Sequence, residues 1–331
     1  MPDQEFMALA IAAAAEVYGH TSPNPWVGAV VVANGEVAGS GATAPPGSAH
    51  AEISALNQAG EKTQGATLYT TLEPCHHQGR TGPCTEAIIK AGITKVVVGV
   101  QDPDPQVAGS GIKYLQEAGL VVTVGCLNEE ITQQLAAYLH HRRTGRPYVV
   151  LKLATTLDGR IAAPDGSSAW ITGPEARDDV QKLRSQSDAI CVGAGTVRTD
   201  DPKLTVRAEN GENTNLRRIV FGEVAPDAQV QPAENYRGDP KDLLERLGQE
   251  GVLQLLVEGG ADLAGRFHRD GLVDRYCIYM APALLGGEDG RPVLAGPGAP
   301  TMEEIQRGRF VEVKRLGNDL RLDLILDENN S

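Results

Sequence analysis

Aromatic residues make up only 4% of this 331-residue chain, so its cores have to be filled by Val, Leu, Ile and Ala. Cysteine is sparser still, with five residues at positions 75, 84, 126, 191 and 277. An odd count without paired spacing excludes a disulfide scaffold and points to a reducing, cytoplasmic setting. No apolar run approaches the ~18 residues of a membrane span. The opening "MPDQEFMALAIAAAAEVYGH" lacks a basic leader region and is interrupted by Glu16, so it reads as an amphipathic helix and not as a signal peptide. Basic residues are outnumbered, 30 Lys and Arg against 43 Asp and Glu, for a net charge of −13. That balance excludes a broad phosphate-binding surface, and with it a nucleic-acid partner. Arginines gathered in a cleft around a small anion remain compatible with it.

What is present is alternation. At about 150 residues per domain the length suggests two. "TGRPY" at 144–148 sets the boundary, giving 1–145 and 146–331. In the first part, "WVGAVVV" and "GEVAGSG" read as strands joined at Asn34-Gly35, a hairpin signal. A helix from about Ala51, the strand "ATLYTT", the helix "TEAIIKAG", "KVVVGV", the helix "SGIKYLQEAG", "LVVTVG" and the helix "NEEITQQLAAYLHHRR" follow. Apolar strands alternating with helices predict a sheet covered on both faces, its later strands parallel. The second part alternates again through "YVVLKLA", "DAICVG", "RRIVF", "LQLLVEGG" and "RYCIYMAP", then ends on "RFVEVKRLG" and "LRLDLIL". The polar 207–217 stretch reads as a surface loop.

The chemistry of the first part concentrates in "SAHAEISAL" and "TLEPCHHQGRTGPC". Singly, Cys75 and Cys84 read as buried apolar residues and His50 as a helix cap. Together they supply one imidazole and two thiolates, a soft set that suits zinc and leaves a fourth corner open. Each is expected at or near a helix start, where the partial positive charge favours thiolate. Glu52 can then take a proton from water and return it to a departing amine, as in the H-x-E…P-C deaminases. A closed structural site with His76 or His77 as fourth ligand leaves Glu52 without a task.

"TSPNPWVGAVVV", "HAEISAL", "TLEPCHHQGRTGPC" and "QDPDPQVAGSG" resemble the deaminase half of the bifunctional riboflavin-biosynthesis enzymes of the RibD family. The nine-residue step between the cysteines is typical of that family. The resemblance implies a cytidine-deaminase-like three-layer α/β domain with one zinc per chain. It further implies hydrolytic deamination of 2,5-diamino-6-(5-phosphoribosylamino)pyrimidin-4(3H)-one. By the same likeness Asn24 contacts the pyrimidine and Arg80 the phosphate or ribose; from the residues alone, Asn24 reads equally as a turn residue between prolines. The chain departs from the family pattern at Thr43, where a His is usual, and at His76 and Gly82, where Ser and Pro are usual.

In the second part "GAGTV" and "EGGADLAG" are Gly-rich turns after buried strands, and the latter opens a helix whose amides can hold a phosphate. Neither is a full G-x-G-x-x-G, and strand termination alone also explains the glycines. "LKLATTLDGRIA", "SSAWITGPEARDDVQKLRSQSDAICVGAGTVRTDDPKLTVR" and "LLVEGGADLAGRFHRDGLVDRYCIYMAPALLGG" resemble the reductase half of the same family. That likeness implies a dihydrofolate-reductase-like α/β domain using NADPH to reduce the ribosyl group to ribityl. It places Ala154, Trp170, Thr196, Asp200 and the turn of Gly260, Ala261, Asp262, Leu263, Ala264, Gly265 and Arg266 on the cofactor. Ser168, Arg184, Leu204, Arg207 and Glu258 face the substrate, the arginines offering forks for a phosphate. Lys152 is expected to protonate or polarise the opened sugar, with Glu258 opposite; without the likeness it reads as a solvated strand-end lysine. Glu223 stands at a position where Ser or Thr is usual and is not counted as a contact. A homodimer or tetramer is implied as well.

Overall fold

A computed structural model describes residues 2–77, 82–208, 211–213 and 216–327. The chain divides into two compact units, one up to Arg146 and one from Pro147 onward.

The first unit comprises α1 (Pro2–Ala15), β1 (Gly28–Ala33), β2 (Glu36–Ala42), α2 (Ala51–Ala59), β3 (Thr67–Leu72), α3 (Cys84–Lys90), β4 (Lys95–Val100), α4 (Ser110–Glu117), β5 (Val121–Val124), α5 (Asn128–Gln134) and α6 (Ala136–Thr144). Among the described residues its sheet has five strands in the order β2-β1-β3-β4-β5. β1 is antiparallel to β2 and β3, while β3, β4 and β5 run parallel. Asn34 and Gly35, both at positive φ (53° and 82°), make the tight turn between β1 and β2.

Glycines let the helices lie close on both faces. A Cβ on Gly28 would sit 1.9 Å from the Ala10 carbonyl of α1. On the opposite face, Cβ atoms on Gly39 and Gly41 would meet the Ala55 and Ala51 carbonyls of α2 at 2.3 and 2.6 Å. Met7, Ala10 and Ala14, on one stripe of α1, are fully buried. Three layers result, with helices above and below a Val-rich sheet.

The predicted last helix of this unit is two helices meeting at Leu135. The indole of Trp26 donates to the Gln134 carbonyl at 2.9 Å, an acceptor that an unbroken helix would use for the residue four positions on. A partner more than a hundred positions away is invisible to local periodicity.

The second unit comprises β6 (Tyr148–Thr156), β7 (Arg160–Ala162), α7 (Pro174–Ser185), β8 (Ala189–Gly193), α8 (Ala194–Asp200), β9 (Val206–Ala208), β10 (Gly211–Asn213), β11 (Arg217–Phe221), β12 (Glu234–Tyr236), α9 (Pro240–Gln249), β13 (Gln254–Val257), α10 (Ala261–Arg269), β14 (Arg275–Ala281), β15 (Arg291–Pro292), β16 (Gly308–Leu316) and β17 (Asp319–Leu326). Its main sheet, among the described residues, has eight strands in the order β12-β11-β8-β13-β6-β14-β17-β16. Six run parallel, and β17 and β16 close one edge antiparallel. Leu151, Cys191, Ile219, Leu255, Val257 and Phe267, all fully buried, form the core between the sheet and α9–α10. The stretch expected as a plain surface loop holds a short ribbon, β9 paired antiparallel with β10. Val206, 2% exposed and just ahead of that stretch, anchors its first strand.

Candidate active sites

The strand ends and helix starts of the first unit bring His50, Cys75 and Cys84 together. His50 is the residue before α2, in extended backbone conformation, and Cys84 is the first residue of α3. The Nδ1 of His50 lies 3.5 Å from Cys75 Sγ and 3.2 Å from Cys84 Sγ. All three donor atoms fall within 4.8 Å of one another, and among the described residues no further His, Cys, Asp or Glu joins the group.

Cys75 departs from the expectation of three helix starts, because it lies in irregular chain beyond the end of β3. It is nevertheless served by one. The Cys84 amide at the start of α3 points at Cys75 Sγ over 3.5 Å, and the Thr85 amide donates to the Cys75 carbonyl at 3.3 Å. The hydrogen bond with Cys84, together with that from His50, draws the Cys75 thiol down to about 4 despite its burial. The adjoining Cys75 sulfur and burial push the Cys84 thiol up. The hydrogen bond to Cys75 raises His50.

Glu52 occupies the first turn of α2 and is 4% exposed. Burial, reinforced by the Cys75 charge, lifts its carboxyl to about 7. A buried carboxyl beside two sulfurs and an imidazole is an arrangement for moving a proton. The donors themselves, one imidazole and two thiolates converging on a point with no fourth protein atom among the described residues, fit a zinc ion with an open corner.

His76 is not a fourth ligand. Its Nδ1 is hydrogen-bonded to Thr85 Oγ1 at 2.9 Å, and its ring stacks on Tyr114 at 3.9 Å between centroids. His77 is exposed. Thr43 uses its hydroxyl on the residue before β1, accepting from the Val27 amide at 3.0 Å and donating to the Val27 carbonyl at 3.4 Å. Asn24 sits in a turn closed by its amide on the Thr21 carbonyl at 2.8 Å. Arg80 lies outside the described residues. If the ligand assignment is right, Cys84→Ser dialysed against a chelator falls well below the about one zinc per chain expected of the parent, measured by atomic absorption.

In the second unit, β6 and β13 pair in parallel with Leu151 opposite Val257, which brings Lys152 beside Glu258. The Lys152 Nζ is 3.8 Å from Glu258 Oε2. Arg184 on α7 grips the same carboxylate with Nε at 2.7 Å and Nη2 at 3.0 Å. Burial alone would raise Glu258, but the Arg184 and Lys152 charges overcome it and hold the carboxyl below its usual range. The fork expected on a phosphate is thus engaged by Glu258.

Both Gly-rich turns open helices, α8 after β8 and α10 after Val257. Thr196 Oγ1 lies 3.4 Å from where a Gly260 Cβ would sit, so the two helix starts converge. The segment expected as a turn from Gly260 to Arg266 is the cap and first turns of α10. Ala261, Leu263 and Ala264 are buried. Gly265 abuts the Ala295 carbonyl, where a Cβ would come to 2.1 Å, and Arg266 pairs with Asp239 at 3.3 Å. Amides of the first turn, not side chains, are what this segment offers a ligand. Ser168 Oγ lies 3.4 Å from Asp200 Oδ1. Trp170 is 78% exposed, with the Arg177 guanidinium 4.7 Å above its ring. Leu204 is buried at φ 51°. Ala154 lies on β6 two residues past Lys152, and Arg207 on β9. Glu223, the residue not counted as a contact, forms an ion pair with Arg237.

A thiolate–imidazole centre with a buried acid, followed by a mostly parallel sheet bearing a Lys–Glu–Arg cluster, defines a zinc-dependent deaminase joined to a nucleotide-using reductase. Comparison with known proteins agrees for both units. Residues 1–100 match the family model described as the cytidine and deoxycytidylate deaminase zinc-binding region, and residues 147–322 match the RibD C-terminal domain. The riboflavin biosynthesis protein RibD of Escherichia coli K12 is 41% identical over 98% of this chain and 100% of its own. That of Mycobacterium tuberculosis H37Rv is 42% identical over 97% and 96%. The structure of Acinetobacter baumannii RibD superposes with a TM-score of 0.91 at 38% identity, covering 99% of each chain. The chain belongs to the RibD family, the bifunctional deaminases and reductases of riboflavin biosynthesis. No helix among the described residues is long and apolar enough to cross a membrane.

Proposed function

We propose that the chain carries out two consecutive reactions. The part within 1–145 hydrolyses the 2-amino group of 2,5-diamino-6-(5-phosphoribosylamino)pyrimidin-4(3H)-one. The part within 146–331 then uses NADPH to give 5-amino-6-(5-phosphoribitylamino)uracil. The observation that carries this reading is the convergence of His50 Nδ1, Cys75 Sγ and Cys84 Sγ beside the buried Glu52. A solved Thermotoga maritima relative, 32% identical with a TM-score of 0.88, is described as the deaminase and reductase of these substrates.

His50, Cys75 and Cys84 would hold the zinc, which when bound supplies a Lewis acid that acidifies water. The Glu52 carboxylate accepts the water's proton and returns it to the departing amine. Asn24 and Arg80 orient the heterocycle and its phosphate. In the second part, NADPH when bound would supply the hydride that reduces the opened sugar. Thr196, Asp200, Ala154, Trp170 and the first amides of α10 would seat it. Lys152 Nζ delivers a proton to the sugar, held toward it by Glu258. Ser168, Leu204, Arg207 and the Arg184–Glu258 pair shape the substrate pocket.

Five free thiols support a reducing, cytoplasmic setting. Phe310 and Val313, 59% and 61% exposed on the edge strand β16, support a homo-oligomer in which a second copy covers that edge. Zinc content measured beside ammonia release and NADPH oxidation on the phosphorylated substrate tests the whole reading; ammonia release from a metal-free chain would sink it. Lys152→Met is expected to slow NADPH oxidation by about 10²–10⁴-fold while leaving ammonia release alone. The variant should fold, because Glu258 keeps its bidentate Arg184 partner.

A further inference from the structure

The residue before the Pro74-Cys75 pair does more than end a strand. Glu73 is 4% exposed, and its carboxylate accepts four backbone amides. Oε2 takes those of Asp102 at 3.2 Å and Gly109 at 3.0 Å. Oε1 takes those of Gly111 at 3.0 Å and Ile112 at 3.2 Å. The first pair closes the loop between β4 and α4 end to end. The second caps α4, whose own residue before the helix, Gly109, has no side chain to do so. An acidic group at a helix start is also favoured by the helix dipole.

The contact continues into the ligand segment. The Pro74 carbonyl is seated against Gly111, where a Cβ would come within 2.0 Å of it. One turn further along α4, Tyr114 carries the stacked ring of His76, whose Nδ1 is tied to Thr85 of α3. Cys75 therefore sits between two anchored neighbours, Glu73–Pro74 on one side and His76 on the other. Between them its sulfur lies 3.5 Å from His50 Nδ1.

We propose that Glu73 is a positioning residue for the metal centre. By binding the 102–112 segment it fixes the Cys75 thiolate toward His50 Nδ1, and it couples occupancy of the site to the order of that segment. The inference rests on Cys75 being a zinc ligand, and the experiment separates the two.

In Glu73→Gln one oxygen still accepts, but the amide nitrogen confronts two N–H donors. Gly111→Ala keeps the carboxylate but disturbs the same seat from the other side, its Cβ coming to 2.0 Å from the Pro74 carbonyl and 3.3 Å from Glu73 Oε1. Both variants are expected to lose zinc to a chelator about 10–100-fold faster than the parent at a temperature where all three are folded, the scale typical of residues that orient a ligand. With cobalt in place of zinc, their visible spectra should shift. In the unaltered protein, zinc should slow hydrogen exchange at the amides of Asp102, Gly109, Gly111 and Ile112 by roughly 5–150-fold, the usual coupling between two sites. A merely structural Glu73 lowers the melting temperature and moves none of these. Parent-like zinc release in both variants would overturn the proposal, as would exchange at those amides that is the same with and without zinc. An unaltered chain that binds no zinc would remove the ligand assignment itself.

Discussion

Glu52→Gln is expected to cut ammonia release by about 10²–10⁴-fold while leaving zinc content and NADPH oxidation on the deaminated substrate at parental levels. Glutamine keeps the shape and the burial of the side chain, so the three donor atoms stay where they are. What it lacks is a site that binds a proton and gives it back. At 4% exposure the position is closed to bulk water, and solvent cannot substitute for the missing carboxylate. The two activities make the result self-controlling: a folding defect confined to the first unit would lower zinc, whereas loss of the proton carrier would not. Ammonia release within tenfold of the parent would assign the proton to another group.

Much of this was legible in the chain because the signals were local. The Asn34-Gly35 turn, the Val-rich strands and the helix beginning at Ala51 each rest on neighbours a few positions apart, and the structure has them where the pattern puts them. The pairing of His50 with Glu52 was legible for the same reason, as two residues at one helix start. What local patterns could not carry was anything made by distant partners. The break at Leu135 depends on Trp26, and the role of Glu73 depends on amides 29 to 39 positions further on. Cys75 was expected at or near a helix start of its own because Pro74 precedes it, yet its helix amide comes from Cys84. Glu258, Lys152 and Arg184 could be named from a likeness, but not their pairing, in which Arg184 reaches Glu258 from α7. The helix opened by "EGGADLAG" was legible too, and α10 begins at Ala261.

Arg321→Met is expected to destabilise the second unit by about 3–5 kcal/mol, because it strips the partner from two buried carboxylates. Arg321 on β17 reaches Asp323 through Nε at 2.7 Å and Nη2 at 3.1 Å, and Asp179 of α7 through Nη1 at 2.8 Å. Asp323 is fully buried and Asp179 is 4% exposed. Arg275 retains Asp323 at 2.7 Å, and Tyr279 donates to Asp179 at 2.8 Å, so the loss falls mainly on Asp179. Burial pushes the Asp179 carboxyl up, but the Tyr279 hydroxyl and the Arg321 and Lys314 charges outweigh it and bring the group below its ordinary 3.8. An acid lowered in this way contributes stability above its unfolded value and loses it as pH falls through the folded one. The gap between parent and variant should therefore be widest near neutrality and narrow below about pH 4, as followed by urea unfolding at a series of pH values. The same change should reach the chemistry. Asp179 and Arg184 share α7, and Tyr279, the partner of Asp179, lies beneath the Lys152 ammonium at 6.0 Å. Releasing α7 from β17 slackens the grip of Arg184 on Glu258, so the variant should oxidise NADPH more slowly even where it is fully folded, with ammonia release unchanged. Full reductase activity in a destabilised variant would show that the Asp179–Arg321 pair holds the helix without holding the site.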